Sequence, residues 1–169
     1  GGISDFSDAV FLLGKESSVS FLHSRFEDFA NFENTRFHGH VEFREVVFGS
    51  VTEFIDTAFD SIGSSARYRG AAVEFASIAV PSGATLTFKS TDPQKKLFEH
   101  DVQMSFSEDP AGLIRFENVN FNMLSTKSRV RLTRLATSGV VEIGAGCIKY
   151  RHQTASRTID VQEGNLPLV

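Results

Sequence analysis

The sequence predicts an all-β chain wound as a parallel β-solenoid, and three observations carry that prediction. Phenylalanine falls at Phe21, Phe26, Phe32, Phe37, Phe43, Phe48, Phe54 and Phe59, with gaps that alternate between five and six residues. Two positions ahead of each stands a small or β-branched residue: Val19, Ser24, Ala30, Thr35, Val41, Val46, Thr52 and Thr57. The stretch is rich in Phe, Val, Thr, Asn and Ser and poor in Leu, Ala and Lys, the usual formers of exposed helix. A short fixed period signals a structure that stacks on itself.

An eleven-residue repeat also fits a right-handed helical coiled coil, but this composition argues against helix. A single antiparallel sheet needs strict two-residue alternation, which the five-and-six spacing breaks. What remains is a chain that turns a corner every five or six residues and buries one large and one small side chain on each side. No side can bury its apolar face alone. Coils stacked at about 4.8 Å lay each Phe on the Phe one coil away and pair the backbone between coils.

The triplets AVF (9–11), SRF (24–26), ANF (30–32), TRF (35–37), VEF (41–43), VVF (46–48), TEF (52–54) and TAF (57–59) set a small residue two places before a central Phe. In this the chain resembles the pentapeptide-repeat family, most closely over residues 4–62. The resemblance implies a right-handed, four-sided parallel β-helix with both motif residues pointing inward. Alternate units here carry a sixth residue, and Val or Thr often fills the small slot. Four sides then take 22 residues rather than 20, so Phe43 is expected on Phe21 and Phe54 on Phe32.

Taken in order, Phe6 and Phe11, with Ser4 and Ala9 in the small slots, form a first partial coil. Residues 14–17 read as a loop, because no large residue stands midway between Phe11 and Phe21. A 22-residue coil sets His23 beside Glu45, His38 beside Asp60 and Asn34 beside Asp56 on the surface. The extra residues Phe29, His40, Val51 and Ile62 are expected to tuck in at the corners and widen the core. Residues 63–71 break the ladder as a loop insertion. The register returns at Phe75 with Val73, Val80 with Ile78, and Leu86 with Ala84, with Pro81-Ser82-Gly83 as a turn between sides. A second insertion spans 89–101, where Asp92-Pro93 reads as the start of a short helix. Residues 107–112 form a loop. Phe116 with Ile114, Phe121 with Val119, Leu132 with Val130 and Ile143 with Val141 resume the coils. The solenoid is thus expected over 1–150. Residues 151–169 form a C-terminal tail or cap, including an edge strand near Thr158–Val161.

The 17 Phe against two Tyr and no Trp fit a core ladder better than a binding surface. The one cysteine, Cys147, rules out an internal disulfide framework and fits a reducing compartment, so a cytoplasmic location is expected. Neither a signal peptide nor a run of 18 apolar residues is present, and no membrane partner is expected. The opening Gly1-Gly2, without methionine, points to a cloning scar or to an excised piece of a longer protein. Charge is divided: residues 1–62 hold eleven acids and four bases, net −7, and residues 63–169 hold ten acids and thirteen bases, net +3.

Sites of chemistry are sparse. His38-Gly39-His40 is the one close histidine pair, without a neighbouring cysteine or third histidine, so no metal is expected. Cys147 has His152 five residues on but no orienting group, so no Cys–His catalysis and no cofactor is expected. Glu27 with Asp28, and Glu42 with Glu45, could imitate a glycosidase pair, but outward rows of a solenoid are polar anyway. Phosphate loops, dinucleotide fingerprints and hydrolase elbows are missing. The strongest exposed feature is basic: Lys127, Arg129, Arg131, Arg134, Lys149, Arg151 and Arg157, with Glu142 the only acid between 127 and 157. In Arg129-Val130-Arg131-Leu132 the bases alternate with apolar residues, so both arginines should face outward and could grip phosphates or an acidic partner.

The expected function is a non-enzymatic rigid scaffold or spacing module. It would engage a protein partner or a neighbouring domain of the same chain; a homodimer is a further option and nucleic acid is left open. One alternative is a DNA mimic, since some members of the resembled family present acidic faces like B-form DNA and inhibit DNA gyrase. The other is a carbohydrate-active β-helix, which requires a carboxylate cleft.

Overall fold

The structure is a computed structural model that describes residues 2–12, 18–60, 73–95, 97–98, 102–107, 111–119, 140–143, 151–153, 158–160 and 164–165. It is all-β, with parallel strands stacked as a β-solenoid and no helix among the described residues. Each coil contributes to four sides, here called A to D. Side A stacks β1 (Ser4–Asp5), β5 (Ala30–Asn31), β9 (Val51–Ile55), β12 (Thr85–Lys89), β14 (Leu113–Glu117) and β15 (Val140–Ile143) in parallel. Side B holds β2 (Val10–Leu12), β6 (Arg36–His38) and β10 (Ala58–Asp60). Side C holds β3 (Ser18–Leu22), β7 (His40–Arg44), β11 (Val73–Ile78) and β13 (Val102–Phe106), and side D holds β4 (Arg25–Phe26) and β8 (Val47–Phe48).

The 22-residue coil appears in the register of the early layers: Phe21 aligns with Phe43, Phe26 with Phe48 and Ala30 with Thr52. Insertions lengthen other coils without shifting the core. Ser4 aligns with Ala30, 26 residues on, which places four extra residues in the segment that contains 13–17. Val41 aligns with Val73, so ten extra residues fall in the 61–72 segment. Corners thus absorb length, and the sides keep their pairing.

The core is a set of ring ladders. On side A, Phe6, Phe32, Phe54, Phe88 and Phe116 stack in turn, with centroids 4.8, 4.6, 5.2 and 5.4 Å apart. On side C, Phe21, Phe43 and Phe75 stack at 4.7 and 4.9 Å. The two ladders face each other across the interior edge to face, as in Phe43 with Phe54 at 5.5 Å and 87°. Offset stacking within a ladder and T-shaped contact between ladders satisfy the ring quadrupoles in both directions. The expectation for Phe43 and Phe54 holds, and both are fully buried.

Three expectations are corrected. Leu86 does not take the large slot: it aligns with Thr52 in the small one, and Phe88 aligns with Phe54. The Pro81–Gly83 turn, closed by the Ala84 amide on the Pro81 carbonyl at 3.1 Å, shifts the frame by two residues. Val102 and Met104, between the insertion read at 89–101 and the loop read at 107–112, sit on Val73 and Phe75 and continue side C. Residues 92–95 form a turn rather than a helix, because the Asp92 side chain accepts the Gln94 amide (2.9 Å) and Leu97 and Phe98 dive into the core. The corner residues are not tucked in: Phe29 is half-buried and Val51 points outward, 38 % exposed. Ile62, residues 63–71, Phe121, Leu132 and Cys147 lie outside the described residues.

In the C-terminal part, β16 (Arg151–Gln153) and β17 (Thr158–Asp160) pair antiparallel. A last strand, β18 (Gly164–Asn165), runs antiparallel on β15 and closes that end of side A.

Candidate functional site

The predicted basic row falls almost wholly outside the described residues. Lys127, Arg129, Arg131, Arg134, Lys149 and Arg157 lie outside the described residues, and Arg151 is placed only as the first residue of β16. Three of the four suspected carboxylates are engaged elsewhere. Glu27 meets Arg25 at 2.6 Å, Glu42 pairs with Arg44, and Glu45 contacts His23 at 3.0 Å, as the 22-residue offset predicted. His38 contacts Asp60 at 3.4 Å, again as predicted. Glu42 keeps the Arg44 guanidinium firmly charged, its pKa pushed above the ordinary value. Among the described residues no three His, Cys, Asp or Glu side chains converge on a metal position, and no helix is long and apolar enough to cross a membrane.

Sequence reasoning missed a groove at the corner between sides A and B. Its wall is built by a left-handed backbone turn that recurs in three successive coils. Asp8, Asn34 and Asp56 have φ of 57°, 53° and 51°; the turn is missing at Ser90 in the next coil and returns at Asn118, at 56°. Asp and Asn tolerate this region better than most residues, because their short polar side chains bond locally. The layers are tied here by backbone bonds: the Asp8 amide donates to the Glu33 carbonyl (2.9 Å), Asn34 to Ile55 (2.9 Å) and Asp56 to Lys89 (2.8 Å). Asx residues 26 and 22 positions apart were the signal that could have found this wall.

The floor is formed by the outward residues of side B, Val10, Arg36 and Ala58, and the turn bearing Thr91, Asp92 and Lys95 overhangs it. The groove encloses about 410 Å³; a cavity of about 40 Å³ beneath the overhang is lined by Asp56, Phe59, Lys95 and Phe98 among others. Asp56 anchors the overhang. Its carboxylate accepts the Thr91 amide at 2.7 Å and the Thr91 hydroxyl through the other oxygen. Burial alone would push the Asp56 carboxyl upward. The two Thr91 bonds, a Ser90 bond and the nearby Lys95 cation outweigh it, and the pKa falls below the ordinary value. The ionised Asp56 carboxylate, bonded to Thr91, positions the loop that overhangs the groove.

The fold and this surface define the class as a Phe-laddered parallel β-solenoid. Comparison with protein-family models, curated proteins and solved structures gives no match.

Proposed function

We propose that this chain is a non-enzymatic rigid scaffold, a divergent solenoid of pentapeptide-repeat type that holds protein partners or neighbouring domains at fixed spacing. The observation that carries the reading is the five-ring ladder from Phe6 to Phe116, which ties successive coils into one packed column. A core filled in this way transmits position and leaves chemistry to the surface. The surface ion pairs point the same way. Arg25 engages Glu27 and Arg44 engages Glu42 within their own layers, and Lys89 reaches Glu117 on the next, which breaks up the continuous acidic face that a DNA mimic presents. A cytoplasmic setting, in which Cys147 stays reduced, belongs to this reading.

The test places a photo-cross-linking residue at one outward position per side, Glu53, Arg36, Glu42 and Arg25, within the source cell. Protein adducts confined to one or two sides are expected. Adducts with nucleic acid alone, or turnover of a polysaccharide by the purified chain, would overturn the proposal.

A further inference from the structure

Basic side chains on the described coils are mostly spent on partners. Arg25, Arg44 and Lys89 hold Glu27, Glu42 and Glu117, and Arg115 is engaged as well. Arg36 and Lys95 are different. Among the described residues neither is in an ion pair, and both line the groove at the corner between sides A and B.

The winding explains how each cation is left over. The outward column of side B runs Val10, Arg36, Ala58, so the layers on either side of Arg36 offer it no carboxylate there. The corner column beside it runs Asp8, Asn34, Asp56, and its one neutral member shares the layer of Arg36. Lys95 arrives by another route. Lys89 aligns with Glu117 and Leu97 with Val119, so six residues between 89 and 97 are extra to their coil. The insertion overhangs side B, pinned where Thr91 meets the Asp56 carboxylate. Asp92 turns back to accept the Gln94 amide at 2.9 Å. Both carboxylates at the overhang are thus occupied within the turn, and Lys95 acts on Asp56 only through space. Ala58 contributes no more than a methyl group to the floor between Arg36 and the overhang.

We propose that this groove binds a single carboxylate group, seated over Ala58 and held by the Arg36 guanidinium, the Lys95 ammonium and the Asn34 side-chain amide. A guanidinium presents two parallel N–H donors that match the two oxygens of a carboxylate, and the ammonium and amide can serve the remaining lone pairs. Charge limits the ligand to one such group. Asp8, Asp56 and Asp92 line the same groove, so its net charge is −1, two bases minus three acids. A monoanion lies against the two cations, whereas each further negative charge must approach the acids. Asp8 stands two layers from Ala58, about 10 Å away, beside the apolar Val10. The volume of about 410 Å³ exceeds what a bare carboxylate fills, so the group is carried on a larger body. That body is a small carboxylic acid or a peptide bearing glutamate or aspartate.

The test follows the Ala58 amide and the Arg36 Nε–H of the full chain by nitrogen-15 NMR. The probes are acetate, a blocked pentapeptide with a central Glu, its Gln counterpart, and inorganic phosphate at about pH 8, where it is a dianion. Saturable shifts at both positions with acetate and with the Glu peptide, and none with the Gln peptide, are expected. Tighter binding of the Glu peptide than of acetate assigns the site to an acidic side chain; equal binding assigns it to free acids. Arg36→Gln and Lys95→Gln should each weaken binding about tenfold, with unchanged melting because both side chains are exposed. Ala58→Glu supplies the carboxylate from within and should abolish acetate binding. No saturable shift at Ala58, equal binding of the Glu and Gln peptides, or binding indifferent to both Gln variants would overturn the proposal. Phosphate bound as tightly as acetate would overturn its restriction to one charge.

Discussion

Thr57 donates its hydroxyl to the Phe32 carbonyl at 2.7 Å, from a buried slot that faces the core. Thr35 repeats the bond one coil earlier, to the Phe6 carbonyl, also at 2.7 Å. Threonine in a small slot is thus not simply a substitute for alanine: where side A turns into side B it stitches one coil to the one before. Thr52, equally buried but in the middle of side A, has no partner for its hydroxyl among the described residues.

The two threonines should therefore respond to the same change with opposite signs. Thr57→Val takes the hydroxyl donor from the Phe32 carbonyl, which keeps the Thr35 amide at 3.2 Å, and should cost about 0.5–1.5 kcal/mol. Thr52→Val removes an unsatisfied hydroxyl at constant shape and should be neutral or stabilising by about 1 kcal/mol. Urea denaturation of both variants checks this; equal losses would show that the hydroxyls do not decide these slots.

Phe43→Ala and Phe54→Ala should each cost about 3–5 kcal/mol, since each ring is fully buried and stacked on both sides. Phe21→Ala removes a partly buried ring at the first layer and should cost clearly less. Chemical denaturation at one temperature ranks the three. A Phe21 loss as large as the Phe43 loss would mean that the first layer is as well packed as the second.

The ladder from Phe21 to Phe59 was legible because one residue type fills the large slot and insertions are absent, so spacing in sequence equals spacing in space. Beyond residue 60 both conditions fail. Leu86 looks like a large-slot residue two places after Ala84, and only the pairing of β12 with β9 shows that Phe88 holds that position. Met104 sits on Phe75 in the large slot, and Met carries no such signature. The overhang of the groove was illegible for a different reason: Thr91, Asp92 and Lys95 follow the frame shift at Pro81–Gly83, and only the pairing of β12 with β9 brings them to Asp56. The surface contacts His23–Glu45 and His38–Asp60 were readable because they need nothing beyond the 22-residue offset.

The frame shift at β12 has a direct test. Phe88→Ala should cost about 3–5 kcal/mol, because it opens the side A ladder between Phe54 and Phe116. Leu86→Phe enlarges a small slot and should cost about 1–3 kcal/mol through overpacking. If Leu86→Phe were tolerated and Phe88→Ala harmless, the two slots would be exchanged relative to the pairing described here. Thermal and urea unfolding of both variants decides it.

Acid should release the overhang of the groove. The folded pKa of Asp56 lies below its ordinary value, so the ionised form is bound more tightly in the folded chain than in the unfolded one. The contribution is then complete above the unfolded pKa of about 4 and is lost as pH falls through the lower folded value. Asp56→Asn keeps the side-chain shape, retains one acceptor for Thr91 and removes the charge. With the group partly open to solvent, the loss at neutral pH should be about 1 kcal/mol. The gap between wild type and variant should stay constant from neutral pH down to about pH 5 and close below about pH 4. Urea unfolding at a series of pH values measures that gap. A gap that widened in acid would mean that the Asp56 pKa is raised, and the Thr91 bonds would then not be what holds the turn against side B.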